Sequence, residues 1–185
     1  MIIDSKGNAG MGNHNIPLDD KNIVFIGFMG VGKTTVGQVV AKKLGREFID
    51  MDAEIEREYG MPCSEIFQTI GEQAFRAKEK SMIVEYCEKQ AKILSLGGGA
   101  FLQEAIREVC LEKCIVILLD LSWEAWQGRL RSIVDTRPVL QGRTMEQIKE
   151  LYEERQAIYA FHHFKITTDH LEPKAIADRI VQAIT

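Results

Sequence analysis

Apolar residues cluster in five short runs, at residues 22–26, 47–50, 92–96, 114–119 and 164–167. These runs are rich in Val, Ile, Leu and Phe and show little alternation, the pattern of parallel strands covered on both faces. Between them the apolar positions recur at helical spacing. A helix is predicted over 33–44, closed by Gly45 as a C-terminal glycine, and another over 53–59, closed by Gly60. A short helix follows Pro62, and a longer one spans 72–90 with Phe75, Met82 and Tyr86 on one side. Further helices are predicted at about 101–110, 123–130, 144–161 and 173–184. The run Thr144-Met145-Glu146-Gln147 reads as a capping box, and Pro173 stands near a first turn, where its missing N–H is not needed. Strands alternating with helices predict an α/β fold, a doubly wound five-stranded parallel sheet with helices on both faces. Trp123 and Trp126 lie three apart on one predicted helix and are read as packing residues. The one long aperiodic stretch, 131–143, is either a surface loop or a mobile lid.

Three strand ends carry candidate chemistry. After the first comes Gly27-Phe28-Met29-Gly30-Val31-Gly32-Lys33-Thr34, the pattern GxxxxGK[ST] between a strand and a helix. Its glycines let successive N–H groups turn toward phosphate oxygens, and the helix N-terminus adds partial positive charge. Lys33 would reach the β- and γ-phosphates and the Thr34 hydroxyl would ligate Mg²⁺. No NKxD string for guanine occurs, nor a DGFPR-type stretch of adenylate-kinase-like enzymes, which leaves a small kinase for another acceptor. After the second strand comes Asp50-Met51-Asp52. In extended chain, residues two apart face the same way, so both carboxylates can face the phosphates; alternatively Asp52 caps the following helix. After the third strand, Gly97, Gly98 and Gly99 remove every side chain, either for a turn or so that a ligand can approach the backbone. All of these sit at the carboxyl ends of strands, where doubly wound sheets bind their ligands.

Composition narrows the rest. The chain of 185 residues fits one domain, read as 21–185, preceded by a polar, glycine-rich extension over 1–20. No apolar run is long enough to cross a membrane and the N-terminus lacks the regions of a secretory signal, so the expected compartment is the cytoplasm. The net charge of −4 argues against a broad nucleic-acid-binding face, and an anion site must therefore concentrate arginines locally. Cys63, Cys87, Cys110 and Cys114 show no pairing framework, and only Cys110 and Cys114 are close in sequence. A zinc site made with His162, His163 and His170 is the alternative to ordinary reduced thiols, which are expected.

The strings FIDMD, IGEQAFRAKE, ILSLGGGA, TRPVL and ERQAIY, in this order behind GFMGVGKTT, resemble the shikimate kinases from about Lys21 to the C-terminus. The resemblance implies a P-loop NTPase fold of the nucleoside-monophosphate-kinase-like type with a mobile lid at about 131–143. It also implies ATP and shikimate as substrates, Mg²⁺ as cofactor, and a cytoplasmic monomer that binds neither nucleic acid nor membrane. Lys33, Asp52 and Arg137 would be catalytic, with Asp52 as base and anchor of a ring hydroxyl. ATP would be held by Gly27, Gly30, Val31, Gly32, Lys33, Thr34, Thr35, Arg131, Arg137 and Asp169. Either Arg129 or Arg131 would stack on adenine, with residues 168–173 as the adenine loop; for Arg129, Arg131 and Arg143 solvated surface charge is the alternative. Shikimate would be held by Asp52, Arg76, Gly97, Gly98, Gly99 and Arg155, with Glu79 orienting Arg76. The metal would be held by Thr34 and, through water, Asp50. Another small-molecule kinase of the gluconate type, or an ATP-dependent binding module, are the rival readings.

Overall fold

The computed structural model describes residues 20–133 and 138–185. Arg137, the side chain of Arg131 and residues 1–19 of the expected extension lie outside them.

Five parallel strands form one sheet: β1 (Ile23–Ile26), β2 (Glu47–Asp50), β3 (Lys92–Ser95), β4 (Ile115–Asp120) and β5 (Phe164–Thr167). Their order is β2-β3-β1-β4-β5, so β1 runs through the centre. The continuous apolar runs of β1 and β4 are buried, while the edge strand β5 alternates between half-buried and exposed positions. The expectation of strands covered on both faces therefore holds at the centre and weakens at the edge, where one side lacks a neighbour.

The helices are α1 (Lys33–Leu44), α2 (Met51–Tyr59), α3 (Cys63–Cys87), α4 (Glu104–Lys113), α5 (Trp123–Gln127), α6 (Leu130–Ile133), α7 (Met145–Tyr159) and α8 (Pro173–Ile184). One layer pairs α1 with α8; the other is built by α3 packing on α2 and α4. The capping box of Thr144 and Gln147 starts α7 as predicted, and α8 begins at Pro173.

Several boundaries depart from the sequence reading. α2 begins at Met51, directly on the end of β2, because Asp50 is both the last strand residue and the cap, its side chain accepting from the N–H groups of Asp52 and Ala53. Asp52 is thus neither extended nor the cap; it stands in the first helical turn. The two helices expected after Pro62 run on as α3, broken at Gly71, whose φ of 80° is left-handed, and α3 ends at Cys87 rather than at residue 90. The helix expected from 101 starts at Glu104, after a 3₁₀ turn, Ala100–Leu102. The helix expected over 123–130 splits into α5 and α6.

Cys87 unexpectedly meets Cys110 of α4, its Sγ lying 3.8 Å from that of Cys110, and all four cysteines are free thiols. Among the described residues no three His, Cys, Asp or Glu side chains are arranged to hold a metal ion, and no helix is long and apolar enough to cross a membrane.

Candidate active site

The carboxyl ends of the strands meet on one side of the sheet, and each predicted residue that is described lies there. The phosphate loop leaves β1 at Gly27, where a Cβ would lie 2.5 Å from the carbonyl oxygen of Leu119 on β4. The loop enters α1 through Gly32 at a φ of 100°, a left-handed conformation that side chains resist. Lys33 is buried and its Nζ donates to the carbonyls of Gly27 (2.8 Å) and Phe28 (3.1 Å), folding the cation over the loop. Val31 is a core residue, so only its backbone faces the loop's concavity. Thr34 and Thr35 are exposed in the first turn of α1.

The loop is braced from α5. Trp126, fully buried, donates its indole N–H to the carbonyl of Met29 at 2.7 Å and meets the Phe28 ring edge-on. Arg129 Nη1 donates to the Gly30 carbonyl at 3.1 Å. Packing was the right reading for the tryptophans, but their role at the loop was not visible: the partners of that indole bond stand 97 residues apart. A cavity of about 450 Å³ lies beside Arg129, lined also by Leu121, Ala125, His170, Leu171 and Glu172. Asp169, in the same loop, accepts from the backbone N–H and the hydroxyl of Ser122. Burial works against its ionisation, yet those bonds hold the carboxyl below its usual range. The Asp169 side chain therefore ties its loop to Ser122 at the start of α5.

At the end of β2, Thr34 donates its hydroxyl to Asp50 Oδ2 at 2.8 Å. A hydroxyl and a carboxylate oxygen thus meet at the phosphate loop, hard donors of the type that Mg²⁺ takes. Asp52 lies against Gly97: a Cβ there would overlap its Oδ1.

Arg76 and Arg155, on α3 and α7, converge on the glycine turn. A Cβ on Gly99 would stand 2.8 Å from Arg76 Nη2, and Arg155 Nη1 lies 3.4 Å from the Gly98 carbonyl. Burial, together with the charge of Arg76, lowers the pKa of Arg155. Two guanidinium groups gathered around a turn without side chains present the planar forks that pair well with carboxylates. Glu79 accepts from Arg76 Nη1 at 2.7 Å, and burial pushes its carboxyl up against that stabilising bond. Tyr159, one turn past Arg155, donates its hydroxyl to the Gly98 carbonyl at 2.9 Å. It was missed, though its place in ERQAIY, four residues after Arg155, puts both on one helical face.

The shikimate kinase family model matches residues 29–185. The chain belongs to the shikimate kinase family. It is 55% identical over 173 residues to a shikimate kinase of Bacillus pumilus, covering 93% of this chain and 94% of that one. Among solved structures, a shikimate kinase of Bacteroides thetaiotaomicron aligns with a TM-score of 0.82 at 30% identity, covering 89% and 98% of the two chains. A shikimate kinase of Acinetobacter baumannii, solved in complex with shikimate, aligns with a TM-score of 0.81 at 37% identity, covering 89% and 92%. The fold is thus that of shikimate kinases, and ATP-dependent kinase chemistry brings with it a need for a divalent metal.

The crowding at Gly99 gives a test of the shikimate kinase site. A Cβ there displaces the end of a flexible side chain rather than backbone, so Gly99→Ala should fold normally while pushing the Arg76 guanidinium aside. The expected result is a shikimate KM raised about tenfold, as for one weakened charged hydrogen bond, with ATP KM within about twofold. Steady-state kinetics in both substrates check it.

Proposed function

We propose that this chain transfers the γ-phosphoryl group of MgATP to a hydroxyl of shikimate, giving shikimate 3-phosphate and ADP in the route to chorismate and the aromatic amino acids. The observation that carries the reading is the convergence of Arg76 and Arg155 on residues 97–99, with Asp52 against the same turn.

In this reading the catalytic unit is 21–185, and ATP lies along the phosphate loop with adenine in the cavity beside Arg129. Either Arg129 or Arg131 stacks on the base, and Asp169 contributes main-chain contacts from its loop. Lys33 exchanges its two loop carbonyls for the β- and γ-phosphate oxygens. Thr34 would hold Mg²⁺ directly and Asp50 through water; when bound, the ion neutralises charge growing between the β- and γ-phosphates. Arg76 and Arg155 take the shikimate carboxylate with the 97–99 backbone, and that fixes the ring so that a hydroxyl faces Asp52. Asp52 accepts the hydroxyl proton as the oxygen bonds to the γ-phosphorus and the bond to the bridging oxygen breaks, the electron pair leaving on ADP. The lid, at about 131–143, closes to exclude water and brings Arg137 onto the transferring group. Positioning and charge stabilisation supply most of the acceleration, because the transition state is loose.

The same reading takes the protein as a cytoplasmic monomer. An assay of ADP release with and without shikimate tests the function: release should depend on shikimate and yield an equal amount of its phosphate ester. ADP release indifferent to shikimate would overturn it.

A further inference from the structure

Gln103 breaks a local rule. It occupies the N-cap of α4 with extended dihedrals, yet its side chain makes no capping bond. Ser, Thr, Asp or Asn there would satisfy an orphan N–H of the first turn, and glutamine is a poor substitute. Its amide goes elsewhere: Nε2 donates to Glu79 Oε2 at 2.8 Å. That same oxygen accepts from Arg76 Nη1 at 2.7 Å, so two donors converge on one carboxylate oxygen and the angle between them sets where the guanidinium lies.

The surroundings make this bond consequential. Glu79 is 2% exposed, and the charged or titratable groups around it are Arg76, Asp52 and Cys63. Burial and the Asp52 charge oppose its ionisation, while Arg76 and the Gln103 amide favour it. Gln103 is itself held rigidly to the glycine turn. Arg107 Nη1 donates to the carbonyls of Phe101 and Leu102, and the Ala100 and Leu102 N–H groups bond to Gly97 and Gly99. The glutamine therefore references α3, which carries Arg76, to the same backbone that Arg76 overhangs.

We propose that Gln103 is a positioning residue for the acceptor: through Glu79 it aims the Arg76 guanidinium at the shikimate carboxylate. The helix start forgoes a cap for this purpose, as happens where a local preference yields to a functional site. The inference rests on the reading that Arg76 binds that carboxylate.

The test uses Gln103→Ser, which supplies a good cap and removes the reach to Glu79, and Gln103→Met, which keeps length without a donor. Both should raise shikimate KM about tenfold and leave ATP KM and saturated kcat within about twofold. Gln103→Ser should melt within about 2 °C of wild type or above it, since the cap gained offsets the bond lost. A purely structural role predicts the reverse, a lower melting temperature with shikimate KM unmoved, and would overturn the proposal. If Gln103→Ser does not fold, Gln103→Met decides by the same criterion. Arg76→Ala is the control: if it leaves shikimate KM unchanged, the carboxylate reading itself fails. If it raises KM while both Gln103 variants stay at the wild-type value, the positioning role alone fails.

Discussion

Asp52→Asn should lower phosphoryl transfer by about 10²-fold or more, the scale of general-base catalysis, while leaving ATP KM nearly unchanged. The structure sharpens this expectation by removing the competing explanation. The cap of α2 is Asp50, which accepts from the Asp52 and Ala53 N–H groups, so exchanging the Asp52 side chain leaves the helix start intact. A carboxylate in a first turn interacts favourably with the helix dipole by about 0.3–1 kcal/mol, so the melting temperature should fall only slightly. Asparagine keeps the shape that fits against Gly97 and can still bond a hydroxyl, but it cannot take the proton. Asp52 also opposes ionisation of buried Glu79, so the substitution eases the strain on Glu79 and should not disturb the hold on Arg76. Single-turnover measurement with saturating ATP checks the result. Turnover close to normal with a clear drop in melting temperature would remove Asp52 from the chemistry.

How much of this was readable in advance follows from the range of each interaction. The central strands were legible because the apolar residues of β1 and β4 are all buried and the apolar run itself is the signal. The starts of α1 and α8 were legible because Gly32-Lys33 and Pro173 are local markers. The start of α2 was misplaced because one residue, Asp50, ends a strand and caps a helix, leaving no linker to mark the change. Phe101 and Leu102, the last two residues of the 3₁₀ turn Ala100–Leu102, read as helix in the sequence because so short an apolar run has no period of its own.

In the site, the phosphate loop is contiguous and announces itself. Arg76 and Arg155 came from family-like strings, since nothing local says that α3 and α7 meet over one turn. Trp126 against Met29 and Gln103 against Glu79 are tertiary bonds whose partners no short-range pattern links. Gln103 fell inside the helix expected over 101–110, so its unsuitability as a cap shows only once α4 is seen to begin at Glu104.

Lys33→Ala should lower kcat by about 10²-fold or more, equal to at least about 2.7 kcal/mol of lost transition-state stabilisation at 1.36 kcal/mol per tenfold. The lysine has two jobs that the experiment must separate. Without nucleotide, its Nζ satisfies the carbonyls of Gly27 and Phe28 and so supports the loop. Alanine leaves those oxygens to water. The loss should cost about 1–3 kcal/mol at most, the scale of a buried acceptor left without its partner. In the proposed reading, ATP draws the same ammonium to where charge spreads over the β- and γ-phosphates, and no other group described at the loop is placed to substitute for it: Arg129 donates to the Gly30 carbonyl from the α5 side. A change confined to loop support would appear as a lower melting temperature and a raised ATP KM with kcat preserved. The expected pattern is the opposite, a collapse of kcat in a protein that still folds and still binds ADP. Near-normal kcat in folded Lys33→Ala protein would mean that phosphoryl transfer does not run through this loop.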